Sequence, residues 1–408
     1  MSHKLSILYI AYSCSPFNGS EDRVGWKICE EAAKLHNVYV LTKADSKDAI
    51  EAYCKEHDLN NIKFFYVDIP NIYKRVFNGF LYSARLNVWH RNAVVVAKQI
   101  CRENPSIRII HQVTPVEFRA IGNYASINGI KFVCGPVGGG EYCPEGLQHY
   151  VKGHGNIELC RKVINRFYRS LYKWNHRFCN CSSLMFANHE TKEFVGMKDA
   201  LVETELGVDA VRVISKVHSD NNGKCIFLVA GRAIYRKGHA LLFDALESLH
   251  TEKDYEIRIV GGGTELEKLK ERCEKNEIIK THVKFLGKIP FAEMQKEYGS
   301  ADVLIMPSIR ETTGSVMFEA LYNGLLVIAI NRFGSRIAIT DDLGWTYDGN
   351  TRQEYIDSLA NVMKNCIEHP DEVYRKKQNI ALKIGKYTWT SKIMRWTNLY
   401  NFILQKTH

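Results

Sequence analysis

The sequence predicts an α/β protein made of two doubly wound, parallel-sheet domains of Rossmann type. Three observations predict it. Short β-branched, near-continuously apolar runs alternate with longer amphipathic segments, the pattern of parallel strands covered on both faces. The rhythm comes in two series, broken near residue 205. The chain has 408 residues, enough for about two domains with a core each.

The first series places strands at 5–11, 38–42, 63–67, 108–112, 131–135 and 184–187. The second places them at 225–230, 256–260, 283–286, 302–306 and 326–330. Between the two, Glu205-Leu206-Gly207-Val208-Asp209 reads as a hinge leading into the polar stretch 215–223. Domains are therefore expected at 1–205 and 206–387, followed by a last amphipathic segment with Ile393, Trp396, Tyr400 and Leu404 near one face. Ligands of such folds bind at the carboxyl ends of the strands, so the loops that follow them are the places to search.

Composition narrows the class. The apolar content is that of a globular protein, which excludes disorder and fibres. No apolar run approaches the ~18 residues of a spanning helix, and the start of the chain enters Leu5-Ser6-Ile7-Leu8-Tyr9-Ile10 without a signal-peptide pattern. The 12 cysteines are scattered without a C-x2-C pair, so reduced thiols in the cytoplasm are expected rather than disulfides or a zinc site. The net charge of +10 is concentrated in two basic, aromatic-rich segments. One holds Lys74, Arg75, Arg85, Arg91, Lys98 and Arg102 with Tyr73, Phe77, Phe80, Tyr82 and Trp89; the other holds Lys152, Arg161, Lys162, Arg166, Arg169, Lys173 and Arg177 with Phe167, Tyr168, Tyr172 and Trp174. Either suits an anionic membrane surface, or a helix whose aromatics are core and whose charges are solvated. No nucleic-acid recognition motif accompanies them.

Three loops of the second series carry polar chemistry. Gly231-Arg232 and Lys237-Gly238 follow one strand and precede a helix, placing two cations where a diphosphate could sit. Gly261-Gly262-Gly263-Thr264-Glu265 follows the next strand; Leu266 breaks a G-x-G-x-x-G fingerprint, so either a tight turn or a close approach to a ligand fits. Glu311 to Glu319 brackets Thr312, Thr313, Gly314 and Ser315, with a helix expected from about Ser315 to Tyr322 and ended by Gly324. Glu319 leans back from that helix toward the loop that carries Glu311, and two carboxylates suit a polyhydroxylated ligand. In the first series the corresponding loops are Ser15 to Glu21 with Gly19, His111 to Pro115, and Gly135 to Glu141 with Gly139. His111 is read there as sitting at a strand end.

Taken together these motifs resemble the family-4 retaining glycosyltransferases of the GT-B fold, over nearly the whole chain. The resemblance rests on Gly231-Arg232…Lys237-Gly238, the Gly261–Gly263 loop, Phe285-Leu286-Gly287 with Ile289-Pro290, and Glu311…Glu319-Ala320-Leu321. Ser20-Glu21…Val24-Gly25-Trp26 and Gly135-Pro136-Val137-Gly138-Gly139-Gly140-Glu141 resemble a bacterial surface-polysaccharide subgroup, and Tyr387-Thr388-Trp389 the family's last helix, which returns to the first domain. Asp22-Arg23 and Gly334-Ser335-Arg336-Ile337 depart from the pattern.

The resemblance implies two facing domains with a cleft between them. It implies that Arg232 and Lys237 bind the donor diphosphate, that Glu319 contacts the ribose, and that Glu311 contacts the transferred sugar. The amides of Thr313, Gly314 and Ser315 would lie near sugar and phosphate, Gly263 beside the nucleoside, and Gly19 and Gly139 in the first-domain loops. His111 would lie beside the donor sugar. The implied reaction is retaining transfer of a hexose or N-acetylhexosamine from a nucleotide-sugar, a UDP-sugar by preference, to a glycan or lipid-linked acceptor. No metal is implied, in keeping with the missing D-x-D motif. A sugar-nucleotide epimerase and a non-catalytic binding module of the same fold are the alternatives.

Overall fold

In a computed structural model of the chain, residues 4–17, 19–59, 61–209, 224–340 and 342–406 are described. The polar stretch 215–223 lies outside them. The chain forms two compact units. The first comprises Met1–Gly140, Asn156–Gly207 and Trp389–His408; the second comprises Glu141–Gly155 and Val208–Thr388.

The first unit is built on a seven-stranded parallel sheet: β1 (Ser6–Ala11), β2 (Asn37–Lys43), β3 (Ile62–Val67), β4 (Ile107–Thr114), β5 (Lys131–Val137), β6 (Ser183–Phe186) and β7 (Leu201–Val202). Its order is β3-β2-β1-β4-β5-β6-β7. Strand β1 is buried at every position, as expected of a central strand covered on both faces. Leu8, Ile10, Trp89, Phe118 and Phe132 lie at the heart of its core.

The second unit has a six-stranded parallel sheet: β8 (Cys225–Ala230), β9 (Tyr255–Val260), β10 (Val283–Gly287), β11 (Val303–Met306), β12 (Leu326–Ile330) and β13 (Gly344–Tyr347). Its order, β10-β9-β8-β11-β12-β13, repeats that of the first. In both sheets the chain reverses direction of travel beside the first strand, between β1 and β4 and between β8 and β11. Loops after those strands part from each other and leave room for a ligand. The unit is tied off where the chain enters and leaves it, by a bridge between Val208 and Thr388.

The last helix, Trp389–Gln405, packs within the first unit through Ile393, Trp396, Tyr400 and Ile403, all buried. Its Lys392 is 1% exposed, and its ammonium bonds Glu203 and the Thr204 carbonyl. Trp396 donates to the other Glu203 oxygen at 2.8 Å. A buried cation held this way is tolerated only because its partners are in place.

Candidate functional site

In the second unit the loops after β8, β9 and β11 are bound to one another. Gly238 makes the first junction. It has φ +71°, and a Cβ there would lie 1.8 Å from the Pro307 carbonyl oxygen, so only glycine lets the β8 loop rest on the end of β11. The Ile309 amide donates to the Arg236 carbonyl at 3.0 Å across the same junction. The Gly-rich loop is joined through Ala233, whose amide donates to the Gly262 carbonyl and whose carbonyl accepts from the Glu265 amide.

Side chains converge on this frame. The Lys237 ammonium donates to Glu311, and Arg236 Nη1 lies 3.4 Å from the same carboxylate oxygen. Lys237 and Glu311 are only partly exposed, at 19% and 14% of their side chains, so the pair is screened less than a surface bridge. Arg232 is exposed at the head of the β8 loop. The helix after β11 is Ser315–Tyr322, with Gly314 as its N-cap residue at φ +94°. Its first amides lie beside Thr313, which is fully buried. From the second turn of this helix Glu319 reaches the Tyr298 hydroxyl at 3.0 Å. The Thr312 hydroxyl donates to Glu141 at 3.2 Å.

The predicted residues of the second unit are thus brought together. Lys237, Glu311, Thr313, Gly314 and Ser315 lie on the two joined loops and the start of the helix; Glu319 lies one turn further along that helix, and Arg232 heads the same β8 loop as Lys237; Gly263 belongs to the loop bonded to Ala233. Sequence reasoning missed Arg236 and Tyr298, which hold Glu311 and Glu319. Arg236 lies within the motif; Glu141 closes a motif of its own, but its bond to Thr312 is not readable from the sequence.

A separate cavity of about 310 Å³ is lined by Tyr150, Tyr235, His239, Asp244, Arg272 and Arg352, among others. Asp244 accepts hydrogen bonds from Tyr150, Arg272 and Arg352. Burial pushes its pKa up, but those three hydrogen bonds outweigh it and hold the carboxyl below its usual value. This cluster fastens the Glu141–Gly155 segment to the helices His239–Glu247 and Arg352–Glu368.

In the first unit the loops after β1, β4 and β5 also meet. Glu21 accepts from the Val116 amide at 2.7 Å, and burial raises its pKa above the ordinary value. Thr114 donates to the Ser13 carbonyl at 2.8 Å. Gly139 offers its carbonyl to Arg161 and Asn165 at 2.7 and 3.0 Å. Gly19 precedes the helix Ser20–Ala33 in the same loop set.

His111 is a correction. It does not sit at a strand end, because β4 runs on to Thr114. It is 0% exposed, with Nδ1 2.6 Å from the Tyr400 hydroxyl and Nε2 2.7 Å from the Gly135 carbonyl oxygen. Burial pushes its pKa down to about 3. Both ring nitrogens are bonded within the protein, so His111 pins the last helix to the sheet.

Comparison with known proteins agrees with this picture. Residues 211–380 match the family model described as glycosyl transferases group 1. A D-inositol 3-phosphate glycosyltransferase of Corynebacterium urealyticum is 28% identical over 178 residues, 42% of this chain and 41% of that protein. The chain thus matches less than half the length of that curated relative. Among solved structures, HepE of Anabaena in complex with UDP and glucose superposes with a TM-score of 0.60 at 15% identity, over 97% of this chain and 99% of that one. A glycosyltransferase of Rickettsia africae gives a TM-score of 0.63 at 16% identity, over 99% and 100%. At these identities the likeness is one of fold. The chain has the two-domain GT-B fold of the glycosyltransferase superfamily, and its second unit carries the match to the group 1 glycosyl transferases.

Proposed function

We propose that the chain is a retaining glycosyltransferase of the family-4 type. It moves a hexose or N-acetylhexosamine from a nucleotide diphosphate sugar to a glycan or lipid-linked glycan, in surface-polysaccharide synthesis at the inner face of the cell membrane. The observation that carries the reading is the closure of the β8 loop on the β11 loop through Lys237 and Glu311. Two motifs 74 residues apart thereby supply a cation suited to a diphosphate and a carboxylate suited to sugar hydroxyls at one spot. A uridine donor is favoured because HepE was crystallised with UDP and glucose.

In this reading Arg232 and Lys237 take the diphosphate, helped by the first amides of the Ser315–Tyr322 helix, whose dipole favours an anion. Gly263 borders the nucleoside, and Glu319, steadied by Tyr298, accepts from the ribose hydroxyls. A diphosphate competes with Glu311 for the Lys237 ammonium. Donor binding therefore turns the Glu311 carboxylate toward the sugar hydroxyls. As the glycosidic bond breaks, charge grows on the departing diphosphate, where cations already in place stabilise it. Glu311, released from Lys237, acts as a hydrogen-bond acceptor for the sugar hydroxyls; retention follows from front-face departure and attack through an oxocarbenium-like state. Gly19 and Gly139 border the acceptor side.

Thermal shift against UDP-, GDP- and ADP-sugars, with Glu311→Ala and Lys237→Ala alongside, tests the donor site. One nucleotide should raise the midpoint, and Lys237→Ala should abolish the rise. Transfer to a glycan acceptor, with the anomeric configuration of the product read by NMR, tests the reaction. Isomerisation of the donor without an acceptor would replace the transferase reading with an epimerase, and a protein that ignores every nucleotide-sugar would end both.

A further inference from the structure

The helix Gly155–Trp174 of the first unit is apolar on two faces. Toward the core of its unit it turns Tyr168, Leu171 and the buried Tyr172, with buried Asn165 on the Gly139 carbonyl. Toward solvent it turns Leu159, Val163, Phe167 and Trp174, which are 60%, 59%, 60% and 79% exposed. Their spacing of four, four and seven residues keeps them on one stripe, about 22 Å long at the rise of an α-helix. A helix that covers only its own core keeps its outer face polar. A continuous exposed apolar stripe marks a surface that something covers.

The charges say what covers it. The helix carries Arg161, Lys162, Arg166, Arg169 and Lys173 against one acidic residue, Glu158, which is buried. Arg166 and Lys173 are exposed beside the apolar stripe. A second copy docked face to face would set these like charges against each other, whereas anionic headgroups neutralise them while the acyl layer receives the apolar side chains. The other basic, aromatic segment also exposes Ile72, Val76, Phe80 and Leu81, but Trp89 is core, and Lys74 is neutralised between Asp45 and Asp68 at 2.7 Å each.

We propose that the outer face of the Gly155–Trp174 helix docks on an anionic lipid bilayer. The helix lies in the headgroup plane, with Leu159, Val163, Phe167 and Trp174 entering the acyl boundary and Arg166 and Lys173 at the phosphates. Among the described residues no helix is long and apolar enough to cross a membrane, so the attachment is to one leaflet. The surface stands whether or not the second unit takes a nucleotide-sugar.

The test is co-sedimentation of the full chain with vesicles of phosphatidylcholine alone and of phosphatidylcholine mixed with phosphatidylglycerol, with size-exclusion mass measured in parallel. The protein should pellet with the anionic vesicles only. The triple substitution Leu159→Gln, Val163→Gln, Phe167→Gln should weaken that binding at least about tenfold, and so should Arg166→Glu with Lys173→Glu, since each basic residue at a charged surface contributes about fivefold. All these positions are exposed, so unchanged melting temperatures should accompany the loss. Undiminished binding of both variants, equal binding to phosphatidylcholine alone, or no vesicle binding by the unaltered chain would overturn the proposal. A dimer that the triple substitution dissolves would put a second copy on this face instead.

Discussion

The two sheets share one strand order, yet the loops at their carboxyl ends hold opposite chemistry. In the first unit the polar groups there are consumed by the fold: His111 between Tyr400 and Gly135, Glu21 on the Val116 amide, Glu117 on Arg119. In the second unit Arg232 is exposed, and Lys237 and Glu311 are partly so and form an ion pair across two loops, which the proposed function has a ligand replace. The same switch point thus serves two ends. Where the loop polar groups bond backbone and core, they stabilise; where they bond each other across two loops, they are available to an anion or a polyol.

The largest expected effect lies in the second unit. Lys237→Ala should lower transfer by ~10²–10³-fold, the loss typical of removing one preorganised charge-stabilising group. Its melting temperature without ligand should stay close to that of the unaltered chain, measured by calorimetry. A large loss of stability would mean that the pair belongs to the fold, as its counterparts in the first unit do.

Next in size is Asp244→Ala. Removing one member of a buried charge cluster costs about 3 kcal/mol, and Arg352, partly exposed, brings the expectation toward about 2 kcal/mol. Denaturant unfolding of the two proteins measures it. The carboxyl is held below its usual pKa, so its contribution is complete above the unfolded value of about 4 and is lost as pH falls below that. The gap between the unaltered chain and the variant should therefore narrow only in strong acid.

His111 gives the opposite pH signature. Its pKa is lowered, so the unfolded chain takes up a proton that the folded one refuses, and stability rises with pH between about 3 and about 6.5. His111→Gln should flatten that slope by up to about 1.4 kcal/mol per pH unit, leaving the slope due to His90, His239 and His36, whose pKa values burial also lowers. Donor affinity should not move. If donor affinity fell with stability unchanged, His111 would return to the site. Smallest of all, Phe167→Gln, on the exposed stripe, should change stability by less than about 0.5 kcal/mol.

Much of this was readable in advance. All eleven expected strands are present, because a strand buried on both faces writes itself as an unbroken apolar run. Strands β7 and β13 were missed: one is two residues long, and the other, Gly-Trp-Thr-Tyr, lacks such a run. The helix after Glu311 was placed at Ser315–Tyr322 from its cap residues. What the sequence could not convey was long-range partnership. Nothing around Tyr298 marks it as a prop for Glu319, and the motif that ends in Glu141 does not name Thr312 as its partner, since those contacts exist only once the chain has folded. His111 was misplaced because β4 continues two residues beyond the expected strand, through Val113 and Thr114, where Thr114-Pro115 reads as a loop. The polarity of the Gly155–Trp174 helix also stayed open, because periodicity finds two faces without saying which is outward; Tyr172 is core while Phe167 and Trp174 are not.

The place of the last helix has a consequence for how the protein is made. Tyr400 bonds His111, and Lys392 and Trp396 bond Glu203, so the first unit is sealed by a helix that follows the second unit in the chain. A ribosome delivers that helix only after the second unit. The second unit, ending at Thr388, is fully translated before the first can close. During synthesis the N-terminal sheet therefore waits with one flank uncovered. A premature stop shortly before Trp389 would release a chain whose second unit is whole and whose first has no lid for Tyr9, His111 and Glu203.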